Sequence, residues 1–345
     1  MNVYEQAEAL LRARLVTAAG CQSLLARAIH LAAAEAPLRF ALRARLDELA
    51  SLIARYTAGD GSYPTPIGRM TFLRSAAPSG LVHDVHEPSL CVVAQGSKRV
   101  MLGGDVYEYG RGCYLVATVD LPVCAEVLDA TRERPYLCLK LGFDMNEVAS
   151  MLLQVGETAI PNVAPERGLF FSRADTALLD AILRLARLLD TRDDIAALAP
   201  LAEREIIYRL LKSDEGRRLC HAVGANNHGR RIARAVAWLK GHFAEPLRIE
   251  ALASHVGMSS SSLHEHFKAV TAMTPVQYQK QLRLQEARRL LMTEGIDAGT
   301  AGHRVGYESP SQFSREYRRM FGAPPSRDAT RTREPSLAQG GRRFR

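Results

Sequence analysis

Arg248-Ile249-Glu250-Ala251-Leu252-Ala253-Ser254-His255-Val256-Gly257-Met258-Ser259 decides how the C-terminal third of this 345-residue chain folds. Ile249, Leu252, Ala253 and Val256 fall on one helical face. Gly257-Met258 makes a turn, and Ser259 stands where it caps a second helix. On that helix Leu263, Phe267 and Val270 recur at helical spacing and are expected inside. Ser261, His264, Glu265 and Lys268 are left outside. Some 49 residues later the grammar returns as Val305-Gly306-Tyr307-Glu308. Ser309 caps there, Pro310 suits the first helical position, and Phe313, Tyr317 and Met320 form the buried stripe. Ser311, Gln312, Arg315 and Arg319 remain outside. A short helix, a turn and a second helix with one polar face, written twice, is a double helix-turn-helix.

The charge supports a polyanionic partner for that end alone. From Ala225 to the C-terminus Lys and Arg number 20 against 10 Asp and Glu, a net +10, whereas the rest of the chain is at −2. A basic surface of this kind attracts nucleic acid. The intervening helix, Pro275–Met292, reads with Val276, Leu282, Leu290 and Leu291 inward and Lys280, Arg283, Arg288 and Arg289 partly outward. It would hold two readers at a fixed spacing, near the ~34 Å repeat of DNA.

Working upstream, Val223–Gly229 is a linker by composition. Asp175–Leu189 and Leu201–His221 are apolar-striped helices, with a shorter one over Asn146–Val155. Their stripes pack either on their own domain or across a pair of subunits, so a homodimer is one expectation. Seven short β segments precede them: Met70–Arg74, Leu90–Gln95, Lys98–Leu102, Val106–Tyr109, Cys113–Thr118, Val123–Leu128 and Tyr136–Phe143. Turns punctuate these, Gly103-Gly104-Asp105 among them. Such short, closely spaced strands argue for a small sandwich or barrel. Residues 1–57 read as helix, with Leu46, Leu49, Leu52 and Ile53 as one stripe. The opening before about Arg43 is either a helical extension or a leader upstream of the true start.

The six cysteines are scattered without a C-x-x-C pair, which fits a reducing cytosol and suggests neither disulfides nor zinc. No apolar run approaches the roughly 18 residues of a membrane span. Arg12, Arg14 and Arg27 interrupt any signal-peptide core.

The segment from about Arg230 to Asp328 resembles the DNA-binding domain of AraC/XylS-type transcriptional regulators. The resemblance rests on Phe267-Lys268, Thr274-Pro275-Val276-Gln277-Tyr278, Arg283 through Leu291, Val305-Gly306-Tyr307-Glu308-Ser309, Phe313 through Tyr317 and Phe321-Gly322-Ala323-Pro324-Pro325. Upstream, Glu87 through Val100, Asp120-Leu121-Pro122 and Pro135-Tyr136-Leu137 resemble the cupin-like regulatory domain of one subgroup. The resemblance covers roughly residues 60 to 328. It implies an α+β multidomain chain: a helical extension at 1–57, a cupin-like β-barrel with flanking helices at 58–222, a linker at 223–229, an all-α double helix-turn-helix at 230–328 and a basic disordered tail at 329–345.

Carried over residue by residue, the resemblance sets Ser261, His264 and Glu265 against bases in one groove segment and Ser311, Gln312 and Arg315 in the next. Arginine suits guanine and glutamine suits adenine. Lys268, Arg318 and Arg319 are expected on phosphates. Gly302 departs from the family's bulkier helix former there, and glycine costs about 1 kcal/mol in a helix interior, so the second unit is expected to be less rigid.

The function implied is a cytoplasmic, one-component regulator that binds promoter DNA, engages RNA polymerase and responds to a small-molecule effector. The effector is expected against the inward-facing members of Cys91, Val93, Tyr107, Tyr114 and Leu139; which face is inward is left open. No cofactor, metal or catalytic residue is expected. Two alternatives compete. A cupin-like metal-dependent enzyme would have to use His83, His86 and Glu87, which sit in a loop-like stretch with no third distant histidine in the barrel. A nonspecific architectural DNA binder would have no use for a sensory N-terminal half.

Overall fold

The structure, a computed structural model, describes residues 39–155, 166–223 and 228–328. The expected helices before residue 39, most of the 223–229 linker and the 329–345 tail lie outside the described residues. The N-terminal half is a two-sheet β-sandwich. Its strands are β1 (Gly61–Pro64), β2 (Met70–Ser75), β3 (Val82–His86), β4 (Ser89–Gln95), β5 (Ser97–Leu102), β6 (Asp105–Gly110), β7 (Cys113–Ala117), β8 (Leu121–Asp129), β9 (Tyr136–Gly142) and β10 (Leu169–Arg173). One sheet runs β1-β2-β9-β4-β7-β10 and the other β3-β8-β5-β6. Pairing is antiparallel throughout.

Strand alternation sets the inside. On β8, Leu121, Val123, Ala125 and Val127 point into the sandwich, and Cys124 and Glu126 point away. The six-stranded sheet is apolar on both faces because helices cover its outer side. Helix α1 (39–55) lays Leu46, Leu49, Leu52 and Ile53 on Phe72, Leu90, Val92 and Leu139. Helices α2 (Met145–Val155), α3 (Thr176–Arg187), α4 (Ile195–Leu211) and α5 (Gly216–Val223) complete that layer. Arg45 ties α1 to α3 with a two-pronged bond to Asp180, at 2.7 and 2.9 Å.

The second half is all helical. It comprises α6 (His228–Gly241), α7 (Ile249–Val256), α8 (Ser260–Thr271), α9 (Pro275–Arg289, continuing as a π turn over Leu290–Glu294), α10 (Ala298–Arg304) and α11 (Pro310–Phe321).

The structure extends the sequence reading in three places. The seven expected strands are present, with β1, β3 and β10 in addition. Val82–Pro88 is not a loop, because Val82–His86 is β3 in full register with β8. Its alternation is polar on the inward positions, Asp84 and His86, which hides it from an apolar pattern search. The expected helix Leu201–His221 is two helices. The Ser213 hydroxyl donates to the Leu210 carbonyl at 2.8 Å and closes the first of them.

Because β3 is a strand, His83 and His86 point to opposite faces and share no site. Among the described residues there is no group of three or more His, Cys, Asp or Glu that could hold a metal ion.

His86 is 6% exposed. Burial, with Lys98 and Lys140 nearby, pushes its pKa down to about 3. The folded protein therefore keeps the ring neutral, while the unfolded chain protonates it below pH 6.5. Stability is then lost as pH falls from 6.5 toward 3, by about 2 kcal/mol at pH 5. Thermal unfolding of His86→Gln is expected to show a smaller loss between pH 7.5 and pH 5 than the parent. An identical loss would remove His86 as its source.

Candidate nucleic-acid interface

The first helix-turn-helix is built as its residues require. Leu252, Ala253 and Val256 on α7 are buried. Gly257 takes a left-handed φ of 69° and turns the chain. The Ser259 side chain accepts from the Ser262 N–H at 3.2 Å and starts α8. Leu263, Phe267, Val270 and Thr271 are buried on α8, and Ser261, His264, Glu265 and Lys268 are exposed together.

The second unit repeats this. Asp297 caps α10 by accepting from Gly299 and Thr300. Gly306 turns the chain at a φ of 87°. Ser309 accepts from Gln312 N–H at 3.3 Å, and Pro310 opens α11. Phe313 and Tyr317 are buried, and Ser311, Gln312, Arg315, Arg318 and Arg319 are exposed.

The arginines divide sharply. Arg283, Arg288, Arg289 and Arg304 are all engaged by carbonyls or carboxylates of the chain. Arg315, Arg318 and Arg319 make no ion pair with another described residue. Glu316, between them on α11, is turned inward instead. It accepts from Lys280 and from the Tyr307 hydroxyl, both at 2.8 Å, and these bonds hold its carboxyl below the usual range against the opposing effect of burial.

Residues 66–218 match the family model described as the AraC-type transcriptional regulator N-terminus, and residues 252–331 match a helix-turn-helix domain. The transcriptional activator RhaS of Salmonella typhimurium is 32% identical over 153 residues, 44% of this chain and 55% of RhaS. The chain thus spans about half the length of the curated relatives it matches. The chain belongs to the AraC-type family of transcriptional regulators. Among solved structures, this AraC-type chain is similar to a probable AraC family regulator from Rhodopseudomonas palustris (27% identity, 30% of this chain, 98% of that one, TM-score 0.29). It is also similar to unsaturated-fatty-acid-bound ToxT from Vibrio cholerae (12% identity, 79% of this chain, 96% of that one, TM-score 0.49).

In this AraC-type chain the sandwich grips the first reader directly. Arg167, just before β10, donates to the Lys268 and Ala269 carbonyls at the end of α8 and pairs with Asp105 on β6. The Gly168 N–H donates to Val270 O at 2.9 Å. Tyr278 on α9 donates its hydroxyl to Asp120 O at 2.7 Å, and Lys240 on α6 pairs with Asp120 and Glu87. The Gly103 turn of β5–β6 packs on Ala272, where a Cβ would lie 2.9 Å from the Ala272 Cβ. Asp120 stood out in the sequence as part of Asp120-Leu121-Pro122. Arg167 carried no sequence signal, because its role depends on a contact 101 residues away.

The five expected effector-site residues do not share a face. Cys91 and Val93 lie inside the sandwich, and Tyr107 packs half-buried against that interior. Tyr114 and Leu139 lie on the opposite face of the sheet, in the helix-covered core. Strand parity is the reason: Cys91 and Tyr107 face inward in their strands, and Tyr114 and Leu139 fall on the other parity.

Two expectations for the helical half also change. Val276 is 51% exposed rather than inward. Gly302 is not a weak point in α10. It is buried, and a Cβ there would lie 2.9 Å from the Phe313 ring, so the missing side chain lets α11 close on α10. Gly302→Ala is expected to lower stability by about 1–3 kcal/mol through overpacking, read as a fall in melting temperature. A rise, as the helix propensity of alanine alone would give, would show that Phe313 moves aside freely.

Proposed function

We propose that the chain is a one-component transcription regulator that binds promoter DNA sequence-specifically in the cytoplasm. In this reading a regulatory unit at 58–222 is joined through 223–229 to a DNA-binding unit at 230–328. The observation that carries it is the pair of exposed polar helix faces, each held out by its own capped helix-turn-helix. A major groove admits one such helix.

Ser261, His264 and Glu265 face bases from α8, and Ser311, Gln312 and Arg315 face them from α11. Lys268, Arg318 and Arg319 contact phosphate. The unpaired state of the α11 arginines supports this, since no described carboxylate competes for them. The regulatory unit takes a small-molecule effector, and the bound complex engages RNA polymerase.

The test is footprinting on the DNA upstream of the coding region. Arg315→Ala is expected to lose about 1–3 kcal/mol of affinity and to relax preference at one base position. An unchanged footprint and affinity would remove Arg315 from the interface. Protection lacking sequence preference, with steep salt dependence, would favour the architectural alternative.

The same reading includes a homodimer. Most apolar residues of α4, among them Ile206, Ile207, Leu210 and Leu211, are spent on the chain's own core. Leu198, Leu201 and Tyr208 remain 45, 63 and 44% exposed along one stripe of that helix. Leu201→Glu is expected to shift light-scattering mass from dimer to monomer. A parent protein already monomeric at working concentration would dismiss the dimer.

A further inference from the structure

The mouth of the sandwich holds a half-open cavity of about 330 Å³ lined by residues of both sheets. Strand register defines its walls. On the smaller sheet Val82 pairs with Ala125, and Lys98 pairs with Val127, so all four share the face of buried Val100 and Leu121. On the larger sheet Tyr136 pairs with Ser75, and Leu73 with Cys138, on the inward face. The walls are therefore apolar at Leu73, Val82, Ala125 and Val127. They are broken by Lys98, Tyr136 and the neutral ring of His86.

One of these polar groups is shut away and another lacks a partner. The Tyr136 hydroxyl is fully shielded, beside the Cys138 thiol. Tyr136 itself is 2% exposed. A buried tyrosine hydroxyl ordinarily finds a partner. Lys98 points into the same space and makes no hydrogen bond or ion pair with another described residue.

The acidic groups around the cavity do not answer that charge. The Glu126 carboxylate is turned to the outer face, 2.6 Å from Arg99. Asp84 accepts from its neighbour, the Val85 N–H, at 2.8 Å. Lys140 also faces inward, opposite Cys91, but it has Glu87 nearby. Lys98 and Lys140 both lie close enough to His86 to disfavour its protonation. The interior thus holds positive charge at Lys98 and Lys140 among hydrocarbon walls, and the inward carboxylate of Asp84 makes no ion pair with Lys98.

This inference rests on the reading of the sandwich as an effector-binding unit and names the class of effector. We propose that the cavity binds a small organic carboxylate, whose oxygens accept from the Lys98 ammonium while its hydrocarbon body lies on Leu73, Val82, Ala125 and Val127. A carboxylate supplies the counter-charge that Lys98 lacks. A free inorganic anion would leave the apolar walls wet. A cationic ligand would meet Lys98 and Lys140.

The experiment is calorimetric titration and thermal shift of the full chain with hexanoate and benzoate, each against its amide, and with inorganic phosphate. The carboxylates are expected to bind saturably and raise the melting temperature, with neither amide nor phosphate doing so. Lys98→Met is expected to weaken carboxylate binding about tenfold or more. Tyr136→Phe removes a hydroxyl shielded from the cavity, so it is expected to bind the carboxylates as the parent does. Amides or phosphate binding as well as the carboxylates would overturn the proposal, as would parent-like binding by Lys98→Met or no carboxylate binding at all.

Footprinting of the unliganded protein separates this from the regulator reading. A sequence-specific footprint without carboxylate binding fells the ligand class alone. Saturable carboxylate binding with no footprint, liganded or not, fells the regulator reading and leaves the site.

Discussion

One apolar cluster runs without interruption from the inside of the β-sandwich into the first helix-turn-helix. It includes Cys91, Val93, Leu115 and Val123 in the sheets and Leu252, Phe267 and Tyr278 in the helices. Burial at roughly 25 cal/mol per Å² makes such a contact hard to part. The ion pairs at its edge contribute less, since Lys240, Glu87 and Arg167 are all substantially solvent-exposed, and pairs of that kind are worth about 0–1 kcal/mol. The apolar cluster therefore holds the two halves together. The polar bonds fix their angle, and the reach of Arg167 and Gly168 to the last carbonyls of α8 sets where that recognition helix points.

The second reader is held differently. Its core, with Val305, Phe313 and Tyr317, is a separate cluster. It joins the first through α9 and through one half-buried arginine. Arg283 donates to the carbonyls of Phe243, Ala244, Glu245 and Gly306, between 2.6 and 3.2 Å. No lysine makes this brace, because only a planar guanidinium presents so many donors in a fixed fork. Burial lowers the Arg283 pKa, yet the group has carbonyl dipoles on every side. Asp328 adds a closing contact, accepting from Arg288 and from the Tyr317 hydroxyl, both at 2.9 Å. A change in the sandwich interior thus reaches the first reader through continuous packing, and the second through α9, this brace and the edge-on contact of His83 on β3 with Phe321 at the end of α11.

The helical half was legible because each of its features is local. Caps, left-handed turns and a 3.6-residue stripe are written within a dozen residues, and both readers emerged with the expected residues outside. Where reading failed, the deciding contact was distant. Gly302 looks costly within its own helix and is required by Phe313 of the next. Val276 looks apolar and inward, but Pro275 at the start of α9 is the residue buried there. The strands β1, β3 and β10 were missed because they are short, edge-placed or polar on the inward face. The division of Cys91 and Val93 from Tyr114 and Leu139 follows from parity, yet parity assigns faces only once the covering layer is known. Both faces of the larger sheet are apolar here, so composition gave no preference between them.

The electrostatics follow from the same division of labour. The basic excess of the C-terminal end does not spread evenly over its surface. Lys240, Lys280, Arg288, Arg289 and Arg304 are matched by carboxylates within 3.5 Å. Arg283 is spent on carbonyls. On α11, Arg315, Arg318 and Arg319 make no ion pair with another described residue, and Glu316 is turned inward by Lys280 and Tyr307. On α8 the exposed face carries Glu265 beside Lys268 and sums to nearly nothing. The two readers therefore differ in kind. The one anchored in the sandwich has a weak field and a fixed pose, and the one carried at the far end of α9 has a strong field and fewer ties. A polyanion is drawn by the second, and the orientation of the first, set from within the sandwich, decides whether both fit at once.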